Sequence, residues 1–310
     1  MPPAAAGNPG PGPGARTAIQ LRPGAAGQTR DAPRATHRAA AMAGWAALAA
    51  MALTQVVSSR AGHLEIFVTL IVALLAVASV SFTALRWGWP RAVGAAAVAF
   101  ALGLAAEWAG TRTGFPFGAY RYTGLLRPAA GTVPLVVPLA WAGMGLPGYA
   151  VGATLARSRA GRIAAGAVAL TAWDLFLDPQ MTGNGFWRWA HDGPYQGVPL
   201  SNFAGWLLVS AVLMAVFDGL FGPACRSPAP HPAAGHQRAR PHEQGQITKP
   251  HPGLLATYTV MAVMEAVGFA VIFRHGRGVA LAGALGMGVP AALAWTRRSR
   301  NQPEERSAHE

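Results

Sequence analysis

The sequence predicts an all-α fold: a polytopic integral membrane helical bundle of about eight transmembrane helices, preceded by a disordered N-terminal tail. Of the 310 residues, 52% are hydrophobic and 12% are charged, whereas soluble domains carry about 25% charged residues. The charge is lopsided, with 25 Lys and Arg against 12 Asp and Glu, and long uncharged stretches separate the charged positions. We therefore expect neither an ordinary soluble enzyme, nor an acidic disordered chain, nor a nucleic-acid partner. The single Cys225 excludes a disulfide framework within the chain.

The eight helices are predicted from the stretches that lie between charged residues. A helix that crosses a membrane needs about 20 mostly apolar residues. Eight stretches reach or approach this length, and some are interrupted only by single acidic residues. In chain order they are 39–59, 66–85, 92–111, 128–156, 163–187, 193–225 with an apolar core at 203–221, 250–273 and 278–296.

These stretches divide the chain into five regions. Residues 39–221 hold helices one to six with the loops of the site, and 253–296 hold helices seven and eight. The basic N-terminal segment 1–38 is rich in Pro, Gly and Ala, a composition typical of disorder. Residues 222–252 have a similar composition and are predicted to be a flexible cytoplasmic linker, while 297–310 form a C-terminal tail.

The linker carries histidines that invite a metal-site interpretation. No pair has the i, i+4 spacing of a helical metal site, and prolines interrupt the segment. We therefore predict a solvated linker and no metal site. The histidines are His231, His236, His242 and His251.

The basic residues also predict an orientation. Cytoplasmic loops of membrane proteins are enriched in Lys and Arg. With eight spans and a cytoplasmic N-terminus, 18 of the 25 Lys and Arg residues fall on the cytoplasmic side. We therefore expect a multi-pass protein of the cell membrane with both termini in the cytoplasm.

Acidic residues inside predicted spans are candidates for function, because an acid near a helix centre costs about 2.5–3.5 kcal/mol on insertion scales. Glu107 lies near the end of the third span. Asp174 and Asp178 lie in the fifth span, one turn apart on one face. Alternation of the spans places these two helix ends on the same side of the membrane. Asp218 is expected to be an interfacial residue, and Glu265 a hydrogen-bond partner in helix packing.

Each of the first three acids also has a structural interpretation. Glu107 could pair with Arg112 or Arg121 at the interface. Asp178 precedes Pro179 and could be a solvated loop residue. Asp174 is the hardest to explain in this way, because apolar residues flank it on both sides within a span.

The same membrane side collects polar, aromatic loops. Residues 110–132 and 182–202 contain TRTGFPFGAYRYTGLLRP and TGNGFWRWAHDGPYQGVPLSN, and Asn202 and Trp206 begin the sixth helix there. The tryptophans of this side could instead form an interfacial aromatic belt. One face of the protein is therefore expected to gather acids, aromatic side chains and Gly/Pro-structured loops.

Several blocks of the chain, in this order, resemble the membrane carotenoid biosynthesis protein family of bacteria and archaea. The blocks are EWAGTRTGFPFGAYRYTG, GTVPLVVPLAWAGM, AWDLFLDPQM, GFWRW and GVPLSNFAGW, and the resemblance covers roughly residues 40–296. That family includes carotenoid 1,2-hydratases and bisanhydrobacterioruberin hydratases. Family motif positions matched here are Glu107, Gly114, Pro116, Gly118, Tyr120, Trp141, Asp174, Asp178, Pro179, Trp187, Asn202 and Trp206.

The resemblance implies a cofactor-independent membrane hydro-lyase that adds water to the terminal C-1,2 double bond of an acyclic carotenoid, giving a tertiary alcohol. Protonation at C-2 leaves a cation at C-1, and a carboxyl enclosed by apolar side chains can supply that proton. Asp174 fits this role, with Asp178 or Glu107 orienting water. The implied partners are the carotenoid within the bilayer, membrane lipids and other enzymes of carotenoid biosynthesis. Substrate-binding residues are then expected to be Phe115, Phe117, Tyr120, Trp141, Trp173, Trp187, Asn202 and Trp206.

Two alternatives stay open at this point. A membrane prenyltransferase also carries aspartates on helices, but it needs Asp-rich clusters that hold Mg²⁺ and diphosphate, and this chain has a single DxxxD. A proton-coupled transporter could use the same intramembrane acids as a proton relay.

Overall fold

The computed structural model of the protein describes Met1 and residues 25–59, 62–222, 250–272 and 276–300. The chain divides into a first unit, Met1–His37, and a second unit, Arg38–Glu310. Met1 and the beginning of the first helix are the described parts of the first unit. All other elements belong to the second unit.

The described residues contain eight α-helices, and all eight are long and apolar enough to cross a membrane. Each overlaps one predicted stretch, in the same order, so the predicted fold class is confirmed. The helices are α1 (Ala25–Ser58), α2 (Leu64–Trp87), α3 (Trp89–Thr113), α4 (Val136–Leu155), α5 (Arg159–Gly183), α6 (Leu200–Phe221), α7 (Pro252–Val271) and α8 (Arg277–Arg300).

Two boundaries differ from those predicted. Helix α1 begins at Ala25, within the predicted tail, although its membrane-length part is Thr36–Ser58. His251, assigned to the linker, instead begins α7: its Nδ1 accepts a hydrogen bond from the Gly253 amide, and its ring stacks on Phe82 at 5.3 Å. The rest of the predicted tail, linker and C-terminal tail lies largely outside the described residues, as do the other three linker histidines.

Helix α4 is the centre of the bundle. Nearly all of its side chains are buried, and it packs against α2, α3, α5, α6, α7 and α8. Small residues along α4 allow this close approach: a Cβ on Gly148 would lie only 3.3 Å from the Cβ of Leu170 on α5. Polar bonds join the neighbouring helices, since Ser79 donates to the Gly143 carbonyl at 2.7 Å and Tyr258 to the Ala169 carbonyl at 2.8 Å.

Short strands fold the two polar loops over one end of the bundle, a feature that the all-α prediction lacked. Strand β1 (Tyr120–Tyr122) pairs antiparallel with β4 (Trp187–Trp189), and β2 (Ala129–Ala130) pairs with β3 (Val133–Pro134). Gly114 ends α3 in the left-handed conformation at φ 76°, which costs glycine little. The chain can therefore turn sharply from α3 into the loop that leads to β1.

Candidate active site

The candidate site lies where α3, α4, α5 and α6 meet the paired strands β1 and β4. The two strands cover the site with aromatic rings because successive side chains of a strand point to opposite faces. Tyr120 and Tyr122 of β1 and Trp187 of β4 lie on the inner face, whereas Arg121 and Arg188, which face each other in the register, are exposed. The two loops predicted to share one membrane side therefore pair, and they place aromatic rings over the acidic residues.

Asp174 and Asp178 form a buried carboxyl pair on α5, with exposed fractions of 0% and 2%. Asn202 of α6 bridges them: its Nδ2 donates to Oδ2 of Asp174 at 2.6 Å and also to Oδ2 of Asp178. The two carboxyls therefore share one donor, Nδ2 of Asn202. Asp178 is therefore a buried residue and not the solvated loop residue of the structural interpretation.

The two carboxyls differ in their partners. Oδ1 of Asp178 accepts the indole N–H of Trp187 at 2.7 Å, so both of its oxygens accept hydrogen bonds. Oδ1 of Asp174 is buried and receives no hydrogen bond from any described residue. Carboxylates are stabilised by accepted hydrogen bonds, so the negative charge is better accommodated on Asp178.

Glu107 forms a second acidic centre, on α3. Its Oε2 accepts hydrogen bonds from Tyr120 at 2.5 Å and Tyr122 at 2.7 Å, and its Oε1 accepts a longer one from Trp141 at 3.3 Å. Burial, and next the charge of Glu107, raise the pKa of both tyrosine hydroxyls above the ordinary value, so the hydroxyls stay protonated donors. Three donors around one carboxyl group favour its ionised form.

The proposed ion pair of Glu107 with arginine is not formed among the described residues. The guanidinium of Arg112 lies over the ring of Trp108, 3.5 Å from its centroid, and Arg121 lies on the outer face of β1. Tyrosines take the place of arginine because β1 folds back over α3, which spacing along the sequence did not indicate.

Aromatic rings enclose the space between these acids. Trp141 of α4 stacks on Trp206 of α6, with centroids 4.2 Å apart. The enclosed cavity has a volume of about 30 Å³, and both Glu107 and Asp178 lie on its wall. A cavity of this volume with several polar groups on its wall can hold a water molecule. The aromatic members of its wall are Phe117, Tyr120, Tyr122, Trp141, Trp187, Trp189 and Trp206.

Most of the predicted site residues come together here, with three exceptions. Asp174 lies behind Asp178 and is absent from the described cavity wall. Trp173 is buried against Trp206, with centroids 6.2 Å apart, and is also off the wall. Phe115 is 67% exposed and is away from the cavity, because the turn after α3 places Phe117 inward instead.

Sequence reasoning missed two aromatic members of the wall. Tyr122 was not singled out, and Trp189 was considered only as a belt residue. The YRY and WRW triplets carried the available signal, because an aromatic residue at every second position is typical of a strand with one buried face.

The other intramembrane acids lie outside this site. Asp218 is buried and paired with Arg162 at 2.6 Å, and it accepts a hydrogen bond from Tyr149. It is therefore a buried ion-pair residue. Glu265 is buried on α7. Within the described residues, no group of three His, Cys, Asp or Glu side chains is arranged to hold a metal ion.

Fold and site together define a polytopic α-helical membrane protein with a buried dicarboxyl centre beneath an aromatic cover. The sequence model of the family described as Carotenoid biosynthesis protein matches residues 65–289. The chain therefore belongs to this family, which confirms the resemblance seen in its motifs and places the protein in carotenoid biosynthesis.

One curated relative carries a more specific name. The bisanhydrobacterioruberin hydratase of Haloarcula japonica is 35% identical over 134 residues, which cover 41% of this chain and 45% of the relative. The chain thus matches less than half the length of that relative. No solved structure matches the chain.

Proposed function

We propose that this protein is a carotenoid hydratase that adds water across the terminal C-1,2 double bond of an acyclic carotenoid, giving a tertiary alcohol. The observation that carries the proposal is the buried Asp174–Asp178 pair, which is bridged by Asn202 and whose Asp178 lines a small aromatic cavity together with Glu107. The name of the Haloarcula relative supports the same reaction class.

The reaction begins with proton transfer to C-2 of the alkene. Asp174 is the source of this proton, because its Oδ1 accepts no hydrogen bond from the described residues, whereas Asp178 accepts from two donors. The C–H bond forms as the O–H bond of Asp174 breaks, and the electron pair of the double bond is used in the new C–H bond. A tertiary cation remains at C-1, and the carboxyl pair carries one more negative charge.

The aromatic rings that border the carboxyl pair stabilise this cation. Indole and phenol faces attract a positive charge through their quadrupoles, and the tight Trp141–Trp206 stack offers no basic nitrogen that could capture it. The small volume of the cavity, about 30 Å³, also limits the number of water molecules beside the cation.

Water then adds to C-1. Among the described residues, Oε1 of Glu107 accepts only the long hydrogen bond from Trp141, so it retains capacity to accept one from water. Glu107 orients the water, whose oxygen bonds to C-1. The proton that the water releases returns to the carboxyl pair through Asp178. The enzyme regains its starting state, and the net change is the addition of one water molecule.

The proposal extends to the cellular setting. We place the enzyme in the plasma membrane with both termini in the cytoplasm, because that orientation puts 18 of the 25 Lys and Arg residues on the cytoplasmic side. The site then faces the outer side of the membrane. The partners are its carotenoid substrate within the bilayer, membrane lipids and other carotenoid biosynthesis enzymes.

The test is expression of the full chain in a host that accumulates an acyclic carotenoid, followed by mass analysis of the pigments. Hydration predicts a gain of one water per modified end, with the expression of Asp174→Asn as the inactive control. A Mg²⁺-dependent gain of a prenyl unit would instead assign prenyl transfer. Proton-coupled movement of an unchanged pigment would assign transport.

A further inference from the structure

A second cavity lies on the outside of the bundle, close to the site. It is an open groove of about 470 Å³ between α5, α6 and α8, with an almost entirely apolar lining. We call it the lateral groove. Leu207, on its wall, is 44% exposed, so the groove opens on the surface that a membrane would surround. Its lining includes Thr171, Leu175, Phe203, Ala204, Leu207 and Gly286.

The lateral groove adjoins the carboxyl pair around helix α5. Successive residues of a helix are rotated by about 100°. Three groups of residues therefore follow one another around the circumference of α5. The order is Leu177 on the enclosed cavity, then Asp174 and Asp178, then Thr171 and Leu175 on the groove. The carboxyl pair lies on the strip of helix surface that separates the enclosed cavity from the groove.

Helix α6 repeats this arrangement. Asn202, which bridges the carboxyls, precedes Phe203 of the groove, and Trp206 of the enclosed cavity precedes Leu207 of the groove. The two cavities are thus on adjoining faces of the same antiparallel helix pair, with the reactive groups at their common boundary.

Tyr195, in the loop before α6, lies at this boundary. Its hydroxyl donates to the carbonyl of Leu175 at 2.9 Å, and its ring packs edge-on against Phe203 with centroids 5.4 Å apart. Both contacted residues line the groove. Burial raises the pKa of Tyr195 to about 12, so its hydroxyl stays protonated and can donate to this carbonyl.

The volumes decide which part of a carotenoid each cavity can take. The enclosed cavity, at about 30 Å³, has room for water-sized groups, whereas the groove offers about 470 Å³ with few polar atoms. A carotenoid chain is long, apolar and dissolved in the bilayer, so it gains nothing from a polar enclosure but can be held along an apolar wall by close packing.

We propose that the lateral groove holds the polyene chain of the carotenoid substrate, and that the end group passes between Tyr195 and the carboxyl pair to react. This inference rests on the proposed hydratase function and adds the binding site for the part of the substrate that does not react. The occupant of the groove is the substrate and not an ordinary membrane lipid.

The groove can be filled from two helices, and each filling variant has a matched control. A Cβ on Gly286 would point at Leu175, 2.7 Å from its flexible Cδ1, whereas a Cβ on Gly288 meets nothing within 4 Å. Gly286→Leu should therefore fill the groove and Gly288→Leu should not. On α6, Ala204→Phe fills it, and Val212→Phe, at a position 45% exposed, is the control.

Two readouts are measured in cells that produce an acyclic carotenoid. The first is the carotenoid that co-purifies with the protein in an Asp174→Asn background, where turnover is blocked. The second is the hydration rate at limiting substrate in the otherwise unchanged chain. Gly286→Leu and Ala204→Phe should lower both by about tenfold or more, while Gly288→Leu and Val212→Phe stay near the parent values. Size-exclusion profiles verify that each variant is folded.

The outcomes separate the two proposals. If the filled variants are folded and retain carotenoid and hydration at the level of their controls, the groove is a lipid-facing surface and the inference is wrong, while the hydratase function stands. If filling the groove abolishes carotenoid retention but the parent protein never hydrates its pigment, the groove assignment holds and the proposed function fails.

Discussion

Replacing Asp174 with asparagine should remove activity while leaving the fold intact. The side chain is fully buried, and its Oδ2 accepts from Asn202 at 2.6 Å. The amide oxygen of the new asparagine can accept the same hydrogen bond, and its NH₂ group can donate to Asp178 as a protonated carboxyl does. The variant therefore keeps the hydrogen bonds of the pair but has no proton to transfer to carbon.

The expected loss of hydration rate follows from the proposed role of Asp174 as the proton donor. General acid catalysis contributes about 10²–10⁴-fold to a rate, so hydration by Asp174→Asn should fall by at least that range. Thermal denaturation of the detergent-solubilised protein should stay close to that of the parent. Pigment analysis by mass, normalised to folded protein, gives the rate.

Asp178→Asn, one turn away on α5, is the matched control, and it should lower the stability that Asp174→Asn leaves unchanged. Both oxygens of Asp178 accept from donors, Trp187 and Asn202, and an amide offers only one acceptor atom. One buried N–H would then face another, at a cost of about 1–3 kcal/mol, so this variant should be measurably less stable. Near-normal hydration by folded Asp174→Asn, or equal destabilisation by both changes, would contradict the assignment of the proton to Asp174.

Four further outcomes are expected. Trp187→Phe removes the donor to a charged Asp178, so the free energy of unfolding should drop by about 1.5–3 kcal/mol, and an unchanged denaturation midpoint would count against that hydrogen bond. Arg112→Gln should leave the hydration rate within a few-fold of the parent, since Arg112 stacks on Trp108. A large loss of rate would instead indicate that Arg112 forms an ion pair with Glu107. Burial, and next the charge of Glu107, raise the pKa of Tyr122 above its ordinary 10.0, so the unfolded chain loses this proton first. The free energy of unfolding should therefore be constant below about pH 10 and should fall as the pH rises above it. Unfolding measured at several pH values should show a shallower fall for Tyr122→Phe. A reporter fused after Arg159 should be cytoplasmic and one near Gly193 external; reporters on the same side would break the eight-span topology.

The helices could be predicted from the sequence because charge is costly in a membrane. The uncharged stretch 66–85 predicted α2, which spans Leu64–Trp87, and similar agreement holds along the bundle. The start of α1 could not be found in this way, since a helix that extends beyond the membrane carries charge without penalty.

The site could be predicted in part. The i, i+4 spacing of Asp174 and Asp178 and the alternation of spans predicted that they would share one end with Glu107. The partners of Glu107 could not be predicted, because they depend on pairing between β1 and β4, which are three residues long and more than sixty residues apart. The lateral groove was equally inaccessible, since it depends on packing between α8 and two helices that are distant in sequence.

The origin of the atoms in the product tests the central claim most directly. Membranes that contain the protein and acyclic carotenoid made beforehand in ordinary water are incubated in water labelled with heavy oxygen and, separately, in deuterated water, and the carotenoid product is examined by mass spectrometry. Hydration predicts that the new hydroxyl carries the oxygen of water and that C-2 gains one deuterium, with neither label fixed in membranes that carry Asp174→Asn. A hydroxyl whose oxygen comes from molecular oxygen, or a product with no deuterium at C-2, would contradict protonation of the alkene followed by capture of water.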